Sequence, residues 1–378
     1  MSGFLNFGGA EEVKCAICGK ESKLVAKTLK VCGNCIRANS EKAEPYIKNA
    51  HYQSRRRFGL PEKPPKAANG VKCKMCVNTC QIPKNGTGFC GLRTNNGRLK
   101  HLAGTPSRGV LEWYYDPLPT NCVGDWVCPG GTGTGFPKYS YSNNEPEHGF
   151  KNLAVFYGAC TFDCLFCQNW HYRRLSTSHS PLVSAQELAD AVDAETSCIC
   201  FFGGDPTPQL MHAIKASKIA MEENKNRILR VCWESNGSMT RSYLDQIAKQ
   251  SLVSGGCVKF DLKFFDENLN IALCGVTNHQ TLANFEYLGK FIEKRNEPPF
   301  LIASTLLVPG YVDECEVKNI AEFIAAVNPE IPYSLLAFHP SFEFKDMPFT
   351  SKKQAMDCLK VVEQAGLERV RIGNIHLL

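Results

Sequence analysis

Three closely spaced cysteines, Cys160, Cys164 and Cys167, carry the strongest chemical signal in the sequence. They fall in the segment CTFDCLFC, directly after an apolar run that predicts a strand. A [4Fe–4S] cluster normally takes four cysteine thiolates. Three thiolates on one loop hold three irons and leave the fourth open to bind a small molecule directly. The spacing therefore predicts a catalytic cluster rather than a purely structural one.

Small and polar residues follow later apolar runs in a similar way: Gly203, Gly204, Asp205, Ser235, Asn236, Asp261 and Lys263. The two glycines lack side chains, so the backbone there can approach a ligand closely. Asp261 and Lys263 lie two residues apart in one predicted strand and therefore point to the same face. The alternatives are a simple turn for GGDPTP and a buried structural ion pair for Asp261 and Lys263.

Two CxxC pairs near the start of the chain contain Cys15, Cys18, Cys32 and Cys35. Two such pairs predict a tetrahedral thiolate site for Zn²⁺ or a single Fe ion. The spacing does not distinguish between the two metals.

The other cysteines carry weaker signals. A second set of four either binds metal or only braces loops: Cys73, Cys76, Cys80 and Cys90. Cys122 and Cys128 are too isolated to assign. The rest are interpreted as small buried hydrophobes, namely Cys198, Cys200, Cys232, Cys257, Cys274, Cys315 and Cys358.

The cysteines also bear on the compartment, because disulfides need an oxidising one. The N-terminal sequence lacks the basic-then-apolar pattern of a signal peptide. No apolar run reaches the roughly 20 residues that a membrane helix needs. We therefore expect a cytoplasmic protein with no membrane partner.

Charge is distributed unevenly along the chain. Residues 1–110 contain 20 Lys and Arg against 6 Asp and Glu, although the net charge of the whole chain is only +6. A basic N-terminal region favours an acidic partner, such as nucleic acid, an acidic protein surface or an anionic cofactor. The alternative is a solvated face without a partner.

The elements that must position these residues begin near residue 150. Apolar runs that alternate with amphipathic segments predict strands at 152–158, 198–204, 228–236, 257–264, 300–309 and 334–340. Near-continuous apolar strands indicate a parallel sheet buried on both faces. The fold class predicted is α/β, a partial (β/α)6 barrel, with function at the carboxyl ends of its strands.

The predicted domain organisation has four parts. A metal-binding module with four cysteine ligands covers residues 1–50, and a linker with a Cys-rich loop region covers 51–150. The barrel covers 151–340, and a small C-terminal extension covers 341–378.

The segment CTFDCLFC resembles the signature of the radical S-adenosylmethionine (SAM) superfamily. In that family SAM chelates the open iron through its amino and carboxylate groups. One electron, from an electron donor, cleaves SAM to methionine and a 5′-deoxyadenosyl radical, which abstracts a hydrogen atom from an unactivated carbon.

The resemblance also implies roles for the residues that follow. Phe166 resembles the family's adenine contact. Gly203, Gly204 and Asp205 resemble the motif that binds the SAM ammonium, although the family usually has Glu at the last position. Ser235 and Asn236 would bind ribose hydroxyls or the carboxylate, and Lys263 would meet the carboxylate while Asp261 balances its charge.

Three stretches, WYYDPLPTNCVGDWVCPGG, FYGACTFDCLFCQNWHYR and RIGNIHLL, resemble the methanogenesis marker protein 10 family. That family is similar to cobalamin-dependent radical SAM methyltransferases that modify an arginine in the alpha subunit of methyl-coenzyme M reductase. The implied reaction is methylation of an sp³ side-chain carbon, with SAM as radical source and as methyl donor to cobalamin.

Cobalamin is implied by this resemblance alone, since the sequence lacks the DxHxxG motif. A pocket for it would lie between the barrel mouth and residues 310–378, with His339 and His376 as candidates to line it. Tyr115, with Tyr114 and Asp116, would line the active site. The alternative for these tyrosines is an aromatic packing patch.

Two other functions remain open. One is a radical SAM activating enzyme of the glycyl-radical type, which needs no cobalamin. The other is a zinc-ribbon nucleic-acid-binding protein, suggested by three arginines at 55–57. Nucleic acid is the weaker alternative, because the aromatics that interleave with basic residues in such proteins are missing.

Overall fold

The computed structural model describes residues 11–120 and 122–378. The N-terminal module begins with a short antiparallel hairpin, β1 (Val13–Lys14) and β2 (Glu21–Ser22). Two helices follow, α1 (Gly33–Ala38) and α2 (Ser40–Arg56). Residues 51–56, which the sequence places in a linker, are the last turns of α2, because this helix buries one face along its whole length.

Two small hairpins come next, in the region rich in Gly, Pro and Cys. The first joins β3 (Val71–Lys72) to β4 (Gln81–Ile82), and the second joins β5 (Arg93–Asn95) to β6 (Leu99–His101). Both hairpins are antiparallel.

The centre of the molecule is a nine-stranded sheet of order β15-β14-β13-β12-β11-β10-β8-β7-β9. Its strands are β7 (Arg108–Pro117), β8 (Lys151–Tyr157), β9 (Leu182–Ser184), β10 (Thr196–Gly203), β11 (Arg230–Ser235), β12 (Val258–Asp261), β13 (Leu301–Leu307), β14 (Tyr333–Ala337) and β15 (Val370–Gly373). Strands β8 and β10–β15 are parallel to one another. The α/β fold with a mostly parallel sheet is thus confirmed, and each of the six predicted runs overlaps a strand.

Strand β7 was not anticipated, because the sequence predicts loops and short strands in this region. It runs antiparallel to β8 over seven residue pairs and carries β9 on its other edge. The stretch VLEWYYD does not alternate regularly between apolar and polar residues, so its pairing with β8, rather than its own pattern, makes it a strand.

Nine α-helices connect or flank these strands in the described part of the chain beyond β6: α3 (Pro129–Thr132), α4 (Tyr172–Ser178), α5 (Ala185–Asp190), α6 (Leu210–Glu223), α7 (Arg241–Ser254), α8 (Glu267–Cys274), α9 (His279–Gly289), α10 (Glu314–Val327) and α11 (Lys352–Gln364). Several begin at a capping side chain, such as Ser184, Asp313 and Ser351. Such caps satisfy amide groups that lack an intrahelical partner. No helix in residues 11–120 or 122–378 combines the length and apolar character needed to cross a membrane.

The N-terminal module docks against the loop between β13 and α10. The Tyr311 hydroxyl accepts a hydrogen bond from the Ala26 amide and donates one to the Val31 carbonyl, both at 3.1 Å. Arg37 forms two hydrogen bonds of 3.0 Å with the Asp313 carboxylate. At Gly33 a Cβ atom would lie 2.6 Å from the Gly310 carbonyl oxygen, so this contact requires glycine.

A buried carboxylate holds the loop that follows β8. Asp163 has no exposed surface and lies between Cys160 and Cys164 in the sequence. Its oxygens contact the His51 ring at 2.9 Å, Arg173 at 2.6 Å and Ser54 at 3.2 Å. Burial raises the pKa of Asp163, but the charge of Arg173 and the contacts with His51 and Arg55 outweigh it and hold the pKa far below its usual value. Helices α2 and α4 are thereby tied to this loop.

Replacing Asp163 by Asn should lower the free energy of unfolding by about 3–5 kcal/mol at neutral pH, because it leaves buried cationic groups without their anion. The difference in the free energy of unfolding between wild type and variant should shrink as the pH falls below about 4. In that range the unfolded chain takes up a proton at Asp163, whereas the folded chain, in which the pKa of Asp163 is depressed, does not. Denaturant unfolding across pH measures both effects. The exposed Asp190→Asn change is the control, and equal losses in the two variants would contradict the role given to Asp163.

Candidate active site at the carboxyl ends of the strands

A cavity of about 240 Å³ opens at the carboxyl ends of the parallel strands. Eleven of the residues predicted from the sequence line this one cavity: Cys160, Cys164, Phe166, Cys167, Gly203, Gly204, Asp205, Ser235, Asn236, Asp261 and Lys263. Residues from four different strand ends meet here because parallel strands present their carboxyl ends at one edge.

The two glycines at the end of β10, Gly203 and Gly204, are required by their surroundings. A Cβ atom at Gly203 would lie 2.5 Å from the Tyr157 amide nitrogen, and one at Gly204 would lie 2.3 Å from the Ala159 carbonyl oxygen. Gly203 also has φ of 113°, which L side chains rarely adopt. This close packing puts bare backbone in the cavity wall.

The three thiols suit an iron–sulfur cluster. The Phe162 amide nitrogen donates to the Cys160 sulfur at 3.3 Å, as backbone amides do for cluster thiolates. Burial raises the pKa of Cys160 well above its usual value, so a free thiol would stay protonated there. A metal reverses this preference, because it binds the thiolate.

Cys274 lies against this trio, although the sequence treats it as a lone buried hydrophobe. Its hydrogen bond with Cys164, and the charge of Lys263, lower the pKa of the Cys164 thiol. Cys274 is fully buried at the end of α8 and does not line the cavity.

Asp205 organises the wall opposite the thiols. One carboxylate oxygen accepts from the Thr207 amide at 2.7 Å. The other accepts from the Ser235 hydroxyl at 2.9 Å and from the Asn236 amide at 2.7 Å. Burial is the main reason that the pKa of Asp205 is raised. Both oxygens are thus engaged with protein groups, and Asp205 joins the end of β10 to the end of β11.

Asn236 connects this wall to the cysteine loop. Its side-chain nitrogen donates to the Thr161 hydroxyl at 2.8 Å and lies 3.8 Å from the Cys160 sulfur. Its side-chain oxygen accepts from the Ser238 amide at 3.1 Å. The amide is therefore fixed in one orientation beside the thiol.

Asp261 and Lys263 form an ion pair of 3.0 Å on the cavity wall, and the Asp261 side chain is 45% exposed, so this is not the buried structural pair of the alternative interpretation. Ser304 donates to the second Asp261 oxygen at 3.0 Å. Burial lowers the pKa of Lys263, but Asp261 and the nearby thiols outweigh it and raise the pKa well above its usual value. A charged ammonium thus lies 6.0 Å from the centre of the Phe166 ring.

Sequence reasoning missed a polar group in the barrel interior beside this cavity. The buried Lys259 ammonium contacts the Glu234 carboxylate at 2.5 Å, the Cys122 sulfur at 2.7 Å and the Cys200 sulfur at 3.4 Å. Glu234 also lines the cavity. The alternation of Lys259 and Asp261 along β12, continued by Lys263 just after the strand, is the signal that could have placed Lys259 on the inner face.

Tyr115 and His339 do not line this cavity. Tyr114 and Tyr115 are adjacent on β7 and so point to opposite faces of the sheet. Tyr114 packs edge-on against Phe202, a cavity residue, whereas the Tyr115 hydroxyl donates to the Ala191 carbonyl at 2.6 Å. His339 lies 3.4 Å from the Ser341 hydroxyl and packs against Phe349, and His376 is exposed near the C-terminus.

The N-terminal cysteines form a separate group. The sulfur atoms of Cys15, Cys18, Cys32 and Cys35 all lie within 4.8 Å of one another. Burial opposes ionisation of Cys15, but backbone hydrogen bonds around Cys18 and Cys32 lower its pKa to about 6. The Cys-rich N-terminal cluster that the sequence predicts is thus confirmed as a group of four thiols.

Comparison with known proteins agrees with this geometry. Residues 154–324 match the family described as the Radical SAM superfamily. The chain is 23% identical over 315 residues to an uncharacterised protein of Methanocaldococcus jannaschii, covering 81% of this chain and 82% of that protein. It is 23% identical over 224 residues to the pyruvate formate-lyase 1-activating enzyme of Escherichia coli strain K12, covering 57% of this chain and 85% of the relative.

Among solved structures, the chain is similar to a radical SAM methyltransferase from Sphaerobacter thermophilus. The sequence identity is 15% and the TM-score 0.44, over 59% of this chain and 66% of that one. The family match itself, over residues 154–324, identifies a radical SAM superfamily domain that contains the three cysteines and most of the cavity wall.

Proposed function

We propose that this radical SAM enzyme is a methyltransferase that acts on an sp³ carbon of an arginine side chain in the alpha subunit of methyl-coenzyme M reductase. The observation that carries the radical chemistry is the single cavity shared by Cys160, Cys164 and Cys167 with the polar strand ends. The resemblance to the methanogenesis marker protein 10 family supports the substrate and the methyl transfer.

When bound, a [4Fe–4S] cluster and SAM supply a primary carbon radical that abstracts hydrogen from an unactivated carbon. In this proposal, residues of the protein orient SAM. The backbone of Gly203 and Gly204 would accept from its ammonium, Lys263 would pair with its carboxylate, and Phe166 would contact its adenine.

Glu234 and Asp261 both line the cavity, and each carboxylate is already paired with a lysine, Lys259 and Lys263 respectively. The choice of an arginine side chain as the target is therefore supported by the family resemblance and not by the charge of the cavity wall.

Neither His339 nor His376, the residues that the sequence offers for a cobalamin pocket, lines the active-site cavity. The resemblance alone supports this cofactor, and we derive no step through it.

A second candidate is a glycyl-radical activating enzyme. The relationship to the pyruvate formate-lyase 1-activating enzyme, over 57% of this chain, favours it. It shares the cluster and SAM with the first candidate and differs in its product, which is a protein backbone radical without a new methyl group.

The function is tested with anaerobically purified, reduced protein, SAM and a peptide that carries the arginine of the reductase subunit. We expect 5′-deoxyadenosine together with a methylated peptide, both read by mass spectrometry, and corrin in the purified protein. Cys164→Ala should abolish both products, while Cys274→Ala, at the neighbouring buried thiol, should retain them. Deoxyadenosine with an unmodified peptide, and a glycyl radical in a protein partner, would favour the second candidate instead.

Asp205→Asn should weaken SAM binding about 10- to 100-fold, because it replaces one acceptor by a donor that faces the Ser235 hydroxyl and the Asn236 amide. That range corresponds to about 1–3 kcal/mol for a disrupted buried polar network. Equilibrium dialysis with the cluster-loaded protein measures the affinity, and Asp190→Asn on exposed α5 is the matched control. An unchanged dissociation constant would remove Asp205 from the binding site.

We also propose that the N-terminal thiols bind one Zn²⁺ or Fe ion, since a tetrahedral site with metal–sulfur bonds near 2.3 Å needs sulfurs about 3.8 Å apart. Cys32→Ala should release one metal ion per chain and spare SAM cleavage. Elemental analysis beside a Cys315→Ala control gives the readout, and a metal content equal to that of the control would disprove the site.

A further inference from the structure

A groove on the surface of the protein combines aromatic rings with positive charge, and the function above does not use it. The groove encloses about 540 Å³ and shares no lining residue with the active-site cavity. It lies between the residues that follow α2, the start of α4 and the segment after β14. Three aromatic and three cationic side chains line it: Phe58, Trp170, Phe342, Arg57, Arg174 and Lys345.

The aromatic rings of this groove pack against one another. Trp170 stacks on Phe342 with ring centroids 5.9 Å apart and an interplanar angle of 15°. Phe58 lies 6.2 Å from Trp170 and 6.3 Å from Phe342. All three residues are only half-buried, so they present one continuous apolar surface to solvent. An exposed apolar surface with a polar rim is typical of an interaction site.

The backbone that carries Phe342 is strained and is attached to the cysteine loop. Phe342 has φ of 55°, in the left-handed region that a bulky side chain rarely adopts. The amide of the next residue, Glu343, donates to the Leu165 carbonyl at 3.0 Å. Leu165 lies between Cys164 and Cys167 in the sequence. Strained backbone of this kind clusters at functional sites, and here it joins the groove to the loop that carries the three thiols.

The rim of the groove is positively charged. Arg57 pairs with Glu343. Arg174 and Lys345 are exposed and take part in none of the ion pairs within the part of the chain that the structure describes. Burial lowers the pKa of Arg57, and the charge of the neighbouring Arg173 lowers it further. Several like charges are thus crowded together, and an acidic surface would complement them.

Arg173 connects the groove to a cysteine of the trio. Its guanidinium carbon lies 4.3 Å from the centre of the Phe342 ring. Burial raises the pKa of the Cys167 thiol, and the charge of Arg173 opposes this effect. Arg173 itself has no exposed surface. One buried side chain therefore neighbours both the wall of the groove and a thiol that the proposed cluster uses.

This position suits the entry of an electron. In the proposed function SAM occupies the cavity side of the cluster, so an electron carrier has to approach from the side on which the protein holds the thiolates. Electron transfer weakens steeply with distance, which requires the carrier to dock close to the cysteine loop. The groove provides an apolar contact surface beside Cys167 and a rim whose charge attracts an acidic partner.

We propose that this groove is the docking surface for a small acidic iron–sulfur protein of the ferredoxin type, which reduces the SAM cluster. One electron passes from the reduced carrier to the cluster, so that the carrier is oxidised, the cluster is reduced and no bond forms or breaks. The carrier's own cluster, held by thiolates, is anionic and adds to the attraction. The proposal rests on the SAM cluster of the proposed function and not on its substrate.

The test uses the full, cluster-loaded chain under nitrogen with an acidic [4Fe–4S] ferredoxin. Calorimetry with the oxidised ferredoxin gives the affinity, and the rate of 5′-deoxyadenosine formation with limiting reduced ferredoxin reports electron delivery. Arg174→Glu combined with Lys345→Glu should lower both about tenfold at low salt. The matched control is Lys215→Glu combined with Lys218→Glu, two exposed positions on α6, and it should lower neither.

Photoreduced deazariboflavin, a small uncharged reductant, should drive SAM cleavage at the wild-type rate in every variant, which shows that the clusters are intact. Added salt should weaken ferredoxin binding to the wild type, because it screens exposed charges. Equal affinities of the wild type and the Arg174→Glu, Lys345→Glu variant would overturn the proposal. So would binding that salt does not weaken, a measurement that needs no variant, or reduction by an acidic flavodoxin but not by ferredoxin. A wild-type chain that cleaves no SAM even with deazariboflavin would contradict the proposed function itself.

Discussion

The buried carboxylate of Asp163 is the constraint on which the candidate active site depends. It lies in the cysteine loop itself and is held by His51 from α2 and by Arg173 from α4. Desolvation of this carboxylate is costly, and several cationic or donor partners offset that cost together. The loop that carries the three thiols is thereby fixed between two helices before any cofactor binds.

The three groups of cysteines differ in the spacing of their sulfur atoms and in the residues that surround them. The N-terminal four are close enough for one ion. The trio at the strand ends faces a cavity that also contains polar groups suited to SAM. Cys73, Cys76, Cys80 and Cys90 line a second cavity beside the buried Arg93. Cysteine thus occurs in three different surroundings in this chain, and the surroundings of a thiol decide its ionisation and reactivity.

Much of the fold and of the site could be predicted from the sequence, for a physical reason. Strands buried on both faces are almost continuously apolar, and their carboxyl ends must share an edge, so residues as distant as Cys160 and Lys263 could be placed together. Strand β7 could not be predicted, since its partner β8 stabilises it more than its own pattern does. The hydrogen bonds of the Asp205 carboxylate and the contacts of Lys259 involve groups from other segments of the chain, and the spacing along one segment does not reveal them.

The central claim is that SAM binds an iron that the three thiols leave open. Electron–nuclear double resonance of the reduced protein with SAM labelled by nitrogen-15 at its amino group tests this directly. We predict a hyperfine coupling between the cluster spin and the labelled nitrogen, of the strength expected for a bond to iron. A reduced cluster whose spectrum is identical with labelled and unlabelled SAM would contradict the account.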